Sequence, residues 1–151
     1  MQGKGNEQIV REFYEAFNNH EIDRVSEFVA PNCDWVDVPT GTHLSGPDEV
    51  RRYWENLFKA FPDFKAEITN VVAAGDWVAT EFIGRGTHSG TYVTPNGQQL
   101  PPTGHRIAVE MCEIQMLRNG KIVAGRGYYD VNTMLEQLGL MPEMPQIEKA
   151  A

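Results

Sequence analysis

Cysteine is scarce: Cys33 and Cys112 are the only two in 151 residues, and they lie far apart. Two thiols cannot build a disulfide framework, and neither has metal-ligand spacing, so free, buried thiols in a reducing compartment are expected. Basic residues are also few, 13 Lys and Arg against 21 Asp and Glu, for a net charge of -8. That balance argues against a nucleic-acid binder, whose affinity comes mainly from cations on phosphates, and against adhesion to anionic lipid. No apolar run approaches the length that spans a bilayer. The segment Met1 to Gln8 is polar and lacks the apolar core of a secretory signal. A cytoplasmic protein without nucleic-acid or membrane partners is therefore expected. No His-x-x-His, Cys-x-x-Cys or Glu-x-x-His pair offers a metal site. No glycine-rich loop precedes a helix, and no Gly-x-Ser-x-Gly elbow is present.

What is present is one domain's worth of ordinary globular composition, 41% hydrophobic and 23% charged. Ile9, Val10, Phe13, Tyr14 and Phe17 recur at helical period, which predicts a helix from a cap at Asn6 to about Asn19. Asp23 suits the start of a shorter helix with Ile22, Val25, Phe28 and Val29 inward, ended by Pro31. A short strand over Cys33–Val38 and a loop over Pro39–Gly46 follow. Pro47, Asp48 and Glu49 suit a first helical turn, and Val50, Tyr53, Trp54, Leu57, Phe58 and Phe61 form the apolar stripe of a third helix. From Phe64 the period falls to two, predicting strands near 64–73, 77–88, 106–118 and 121–130. Gly75-Asp76 and Asn119-Gly120 read as tight turns, and Asn96-Gly97 as the tip of a small protruding hairpin. Val131–Leu138 reads as a short helix closed by Gly139, and the tail from Met141 as mobile. Helices followed by antiparallel strands predict an α+β domain with helices on one face of the sheet, spanning residues 1–140.

Several segments, in this order, resemble the SnoaL-like polyketide cyclase (ester cyclase) family of the nuclear-transport-factor-2-like superfamily. They are Phe61-Pro62-Asp63, Gly86-Thr87-His88-Ser89-Gly90, Pro101-Pro102-Thr103-Gly104, Asn119-Gly120-Lys121-Ile122, Tyr129-Asp130 and Leu135-Glu136-Gln137-Leu138-Gly139. The resemblance implies a cone-shaped half-barrel, a curved, mostly antiparallel sheet packed on three N-terminal helices around a deep pocket. It also implies no cofactor, frequent homodimers and a general acid/base aspartate at the end of the last strand, here Asp130. The chain departs from the family where Ala124, Gly125 and Arg126 follow Val123, and where Trp35, Val36, Asp37 and Val38 occupy a strand that often carries histidine in relatives.

Strand alternation sets Ile122, Ala124, Arg126 and Tyr128 on one face with Asp130. A carboxylate facing an apolar cavity has a raised pKa and can take and return a proton near neutrality. The same aspartate directly precedes a helix, where a capping role is the competing reading. His88 shares parity with Val78, Thr80, Phe82, Gly84 and Gly86, so it points inward unless a bulge intervenes; it either polarises a carbonyl or bonds loop backbone. Asp34, Asp37 and Glu110 are further carboxylates, one of which could pair with Arg126 inside the pocket or on a sheet edge. Tyr14, Trp35 and Tyr128 are the candidate ligand-contacting aromatics. His20, His43 and His105 are assigned to a helix end and to loops. The expected activity is cofactor-independent aldol ring closure on a small hydrophobic carbonyl compound, with Asp130 and His88 at the chemistry. The alternatives are a pocket that binds such a molecule without turning it over, and a structural dimer built on outward residues such as Trp77 and Ile83.

Overall fold

A computed structural model describes residues 5–94 and 97–141 of the chain. The expected mobile tail beyond Met141 and Asn96 of the expected hairpin tip lie outside the described residues. The helices are α1 (Asn6–Asn18), α2 (Ile22–Glu27), α3 (Gly46–Ala60) and α4 (Val131–Gln137). The strands are β1 (Val29–Asp37), β2 (Thr42–Ser45), β3 (Lys65–Ala74), β4 (Trp77–Thr87), β5 (Tyr92–Val93), β6 (Gln99–Leu100), β7 (Arg106–Arg118) and β8 (Lys121–Tyr129). Six strands form one sheet in the order β2-β1-β8-β7-β4-β3, and β5 pairs with β6 separately. Among the described residues only the β1–β8 pairing is parallel; the others are antiparallel. The α+β class with helices gathered on one sheet face is as expected.

Turn chemistry sets the hairpins. Asn119 and Gly120 both take positive φ, 52° and 75°, the pair of left-handed residues that a two-residue turn needs to follow the strands' twist. Register shifts interrupt the ladders between Ile68 and Asn70, between Val29 and Asp34, and between Met116 and Leu117. Bulges of this kind bend strands, and here they curve the sheet around the helices. Pro31 does not terminate α2, which stops at Glu27; it sits within β1 in the irregular stretch, where a missing N–H costs no ladder bond. The expected loop over Pro39–Gly46 contains β2, four residues that cover the exposed edge of β1.

The apolar stripes of α1 and α3 meet in an aromatic core. Trp54 packs against Phe13, Phe17 and Trp35 with ring centroids 5.4, 6.0 and 5.5 Å apart. Burial of each such ring contributes about 2–3 kcal/mol. Trp35 lies flat on β8 because the residue beneath it is Gly125, where a Cβ would fall 2.2 Å from Trp35 Cε3. The glycine is thus a packing requirement. Gly125→Ala is expected to destabilise the fold by about 1–3 kcal/mol, as an overpacked core does. Thermal melting should then fall by roughly 5 °C; an unchanged melting temperature would remove Trp35 from this position.

Candidate active site

The concave face of the sheet, α3 and α4 enclose a cavity of about 690 Å³. Its walls are aromatic and aliphatic, including Trp35, Tyr53, Trp54, Phe82, Tyr92 and Tyr129. Among the described residues no Lys, Arg or His lines it, and its ionisable carboxyl groups there are Asp37 and Glu113. That combination, a large apolar hollow with a few converging polar groups, is what small-molecule sites look like.

Glu113 reaches the cavity by strict alternation along β7, whose inward residues are Ile107, Val109, Met111, Glu113, Gln115 and Leu117. Its Oε1 accepts a hydrogen bond from the Tyr14 hydroxyl at 2.6 Å. Burial pushes the Glu113 carboxyl up to about 7, against the opposing pull of the Tyr14 bond, and the nearby Asp37 charge adds to the rise. Tyr14 is fully buried on α1 behind Glu113, and burial together with that carboxylate holds its hydroxyl well above the ordinary phenol range.

Asp37 ends β1 on the same face as Cys33 and Trp35. Its Oδ2 accepts from Thr40 Oγ1 at 2.7 Å and from the Tyr129 hydroxyl at 3.1 Å. Burial raises its pKa, and these two bonds oppose the rise. Burial and the Asp37 charge push the Tyr92 hydroxyl up to about 12 and raise Tyr129 as well. One row across three strands holds the two acids: Asp37 pairs with Gly127 from one side and Glu113 from the other. With strands about 4.8 Å apart, the acids flank Gly127 at a backbone separation of about 10 Å. A Cβ at Gly127 would sit 3.8 Å from Glu113 Oε2, so the absent side chain leaves open the space between the two carboxyl groups.

The expected site residues are distributed differently. Asp130 is exposed, does not line the cavity, and caps α4 by accepting from the amides of Asn132 and Thr133 at 2.9 and 3.3 Å. The cause is the bulge in β8: Leu117 pairs with Ile122 but Met116 with Ala124, so Val123 is an inserted residue. Parity reverses there, turning Gly125, Gly127 and Tyr129 inward and Arg126 and Asp130 outward. The Arg126 guanidinium lies 5.3 Å over the Trp77 ring on the outer face, not in the pocket. Tyr128, 38% exposed, contributes to the cavity rim. Trp35 lines the wall, and Tyr14, which does not, is bonded to the lining residue Glu113.

His88 points inward, because β4 carries no bulge, yet it is not a cavity wall. Its Nδ1 lies 3.1 Å from Thr103 Oγ1, its ring stacks on Phe61, and its backbone bonds His105 and Gly104. It fastens the loop between β4 and β7, the second of its two expected readings; burial lowers its pKa. Asp34 and Glu110 are exposed; Asp34 sits 3.6 Å from His43. His20 stacks on Phe58. Cys33 and Cys112 are free. Among the described residues no group of three or more His, Cys, Asp or Glu side chains could hold a metal ion, and no helix is long and apolar enough to cross a membrane.

Comparison with known proteins gives concordant relatives. The model of the family described as SnoaL-like polyketide cyclase matches residues 8–138. The nogalonic acid methyl ester cyclase of Streptomyces nogalater is 28% identical over 127 residues, covering 82% of this chain and 90% of that protein. The aklanonic acid methyl ester cyclase AcmA of Streptomyces galilaeus is 28% identical over 138 residues, covering 88% of this chain and 91% of that protein. The crystal structure of IdmH, a candidate polyketide cyclase from Streptomyces antibioticus, superposes with a TM-score of 0.74 at 30% identity, over 90% of this chain and 99% of IdmH.

The raised Glu113 pKa makes stability depend on pH with a definite sign. Between the ordinary value of 4.5 and about 7 the folded chain keeps a proton that the unfolded chain has released. Stability from this group is therefore greatest at acidic pH and is lost as pH rises through about 7. Glu113→Gln removes the effect. The stability of the wild type minus that of the variant, from urea melts, should fall by roughly 2–3 kcal/mol between about pH 5 and about pH 8. A constant difference would show that the carboxyl is solvated.

Proposed function

Given that the chain belongs to the SnoaL-like polyketide cyclase family, we propose that it closes a ring in a polyketide-like carbonyl compound, with Glu113 as the group that carries the proton. One observation supports this reading above the others: a carboxyl group on the wall of a largely apolar cavity, gripped at Oε1 by Tyr14 and open at Oε2 toward the gap over Gly127. The ionised Glu113 takes a proton from a carbon between carbonyl groups. The resulting enolate attacks a second carbonyl of the same molecule, forming the new carbon–carbon bond and an alkoxide. Glu113 returns its proton to that alkoxide. Atoms balance within the one molecule, and no electrons leave it.

A group near 7 suits both halves of this cycle, since it is neither too weak a base to remove the proton nor too weak an acid to return it. Tyr14 fixes the carboxyl rotamer, and the cavity folds the substrate so that its reacting carbons lie close, which can supply several kcal/mol of barrier reduction. The named relatives act on methyl esters. The described wall carries two acids and no cation, which favours such a neutral ester over the free acid.

The test is turnover of a cyclisable polyketide methyl ester by two isosteric variants. Glu113→Gln should lower kcat by roughly 10²–10⁴-fold. Asp130→Asn should stay within about twofold of the wild type, because asparagine caps a helix as well as aspartate does. Wild-type kcat/KM should fall as pH drops below about 7, where Glu113 is protonated before substrate binds. An active Glu113→Gln, or an inactive but folded Asp130→Asn, would return the chemistry to Asp130.

A further inference from the structure

Ring closure leaves a negative charge on the oxygen of the attacked carbonyl, and the described wall has no cation to meet it. A neutral donor must do so. Most hydroxyls of the wall are already engaged. Thr40 and Tyr129 donate to Asp37, Thr94 donates to the Gln98 carbonyl, and Tyr53 serves the Tyr129 oxygen. Tyr92 is different. None of the described residues takes a hydrogen bond from its hydroxyl. That oxygen is nevertheless not among the polar atoms sealed inside the fold, as Asp37 Oδ1 and Gln115 Nε2 are. A largely buried phenol whose proton has no acceptor calls for one from a ligand.

The backbone around Tyr92 is fixed from both sides by α3. Gly90 lies so close to that helix that a Cβ would fall 2.0 Å from the Lys59 carbonyl oxygen, and the amides of Ser89 and Gly90 both donate to the Ala60 carbonyl at 3.1 Å. Asn56 then clamps Val93: its Nδ2 donates to the Val93 carbonyl at 2.9 Å, and its Oδ1 accepts from the Val93 amide at 3.2 Å. Val93 is exposed, so strand alternation turns Tyr92 and its cross-strand partner Leu100 into the cavity. Burial and the Asp37 charge push the Tyr92 hydroxyl up to about 12, so it keeps its proton across the range in which Glu113 titrates.

We infer that Tyr92 is a catalytic residue that donates a hydrogen bond to the attacked carbonyl oxygen and steadies the alkoxide formed there, and that Asn56 is a positioning residue that aims it. The inference rests on the reading of the cavity as a ring-closing site. The O–H bond of Tyr92 stays intact. The proton that reaches the alkoxide is the one Glu113 removed from carbon, so atoms and charge balance within the same cycle.

A binding measurement and a kinetic one test it. The carbonyl stretch of bound fluorenone, a neutral ketone, is isolated as the infrared difference between carbon-13-labelled and unlabelled ligand. In the wild type it should lie below its frequency in an alkane, and in Tyr92→Phe it should return toward that frequency. Equal frequencies in the two proteins would overturn the inference, as would failure of fluorenone to bind the wild type. In turnover of the cyclisable methyl ester, Tyr92→Phe should lower kcat roughly 10²-fold. The fall of kcat/KM below about pH 7 belongs to Glu113 and should keep its midpoint in this variant. Asn56→Ala should lower kcat roughly tenfold in the wild type but less than about twofold in Tyr92→Phe. Equal losses in both backgrounds would overturn the positioning role. A Tyr92→Phe with wild-type kcat would overturn the inference and leave the Glu113 reading standing. Lost activity in Tyr92→Phe with full activity in Glu113→Gln would support Tyr92 and overturn Glu113.

Discussion

The site depends on one hydrogen bond, from Tyr14 on the first helix to Glu113 on the seventh strand. It joins residues 99 positions apart in sequence. It fixes a carboxyl group that would otherwise rotate in an apolar hollow, and it occupies the oxygen that faces the core. Without it Glu113 would be a buried acid with no donor, driven still further from its ordinary pKa. With it the group is held near neutrality, where both protonation states are populated.

The rest of the architecture keeps that carboxyl buried among apolar walls and its other oxygen turned to the cavity. The aromatic core of Phe13, Phe17, Trp35 and Trp54 seats the helices against the sheet. Two glycines of β8 then do different things on the same face. Gly125 gives its space to Trp35, closing the floor, while Gly127 gives its space to the cavity, separating Asp37 from Glu113. Both face inward only because Val123 is inserted into the strand.

Much of the fold could be read from periodicity and turn residues. The α1 and α3 stripes, the β7 and β8 ranges and the Asn119-Gly120 turn all follow from local chemistry, and order alone indicated helices over an antiparallel sheet. The site was less legible. The family pattern and the alternation of residues along β8 both point to Asp130, and a single bulged residue reverses that alternation. Nothing in the sequence around Val123 marks the bulge, because it is set by how β7 and β8 accommodate the curved sheet. Glu113 had a readable signal: it breaks the apolar alternation Ile107, Val109, Met111 on an unbulged strand. Its partner Tyr14 was visible only as a core aromatic with a hydroxyl. That the two meet is a tertiary fact, as is the pairing of Asp37 with Thr40 and Tyr129.

The central claim is that one particular carboxyl group titrates near neutrality inside the cavity. Infrared difference spectroscopy of protein labelled with carbon-13 glutamate, with Glu113→Gln subtracted, isolates the carbonyl stretch of the protonated Glu113. The account predicts that this band persists well above the ordinary glutamate pKa of 4.5 and disappears with a midpoint near about 7. A midpoint at or below about 5, as for a glutamate in water, would contradict it.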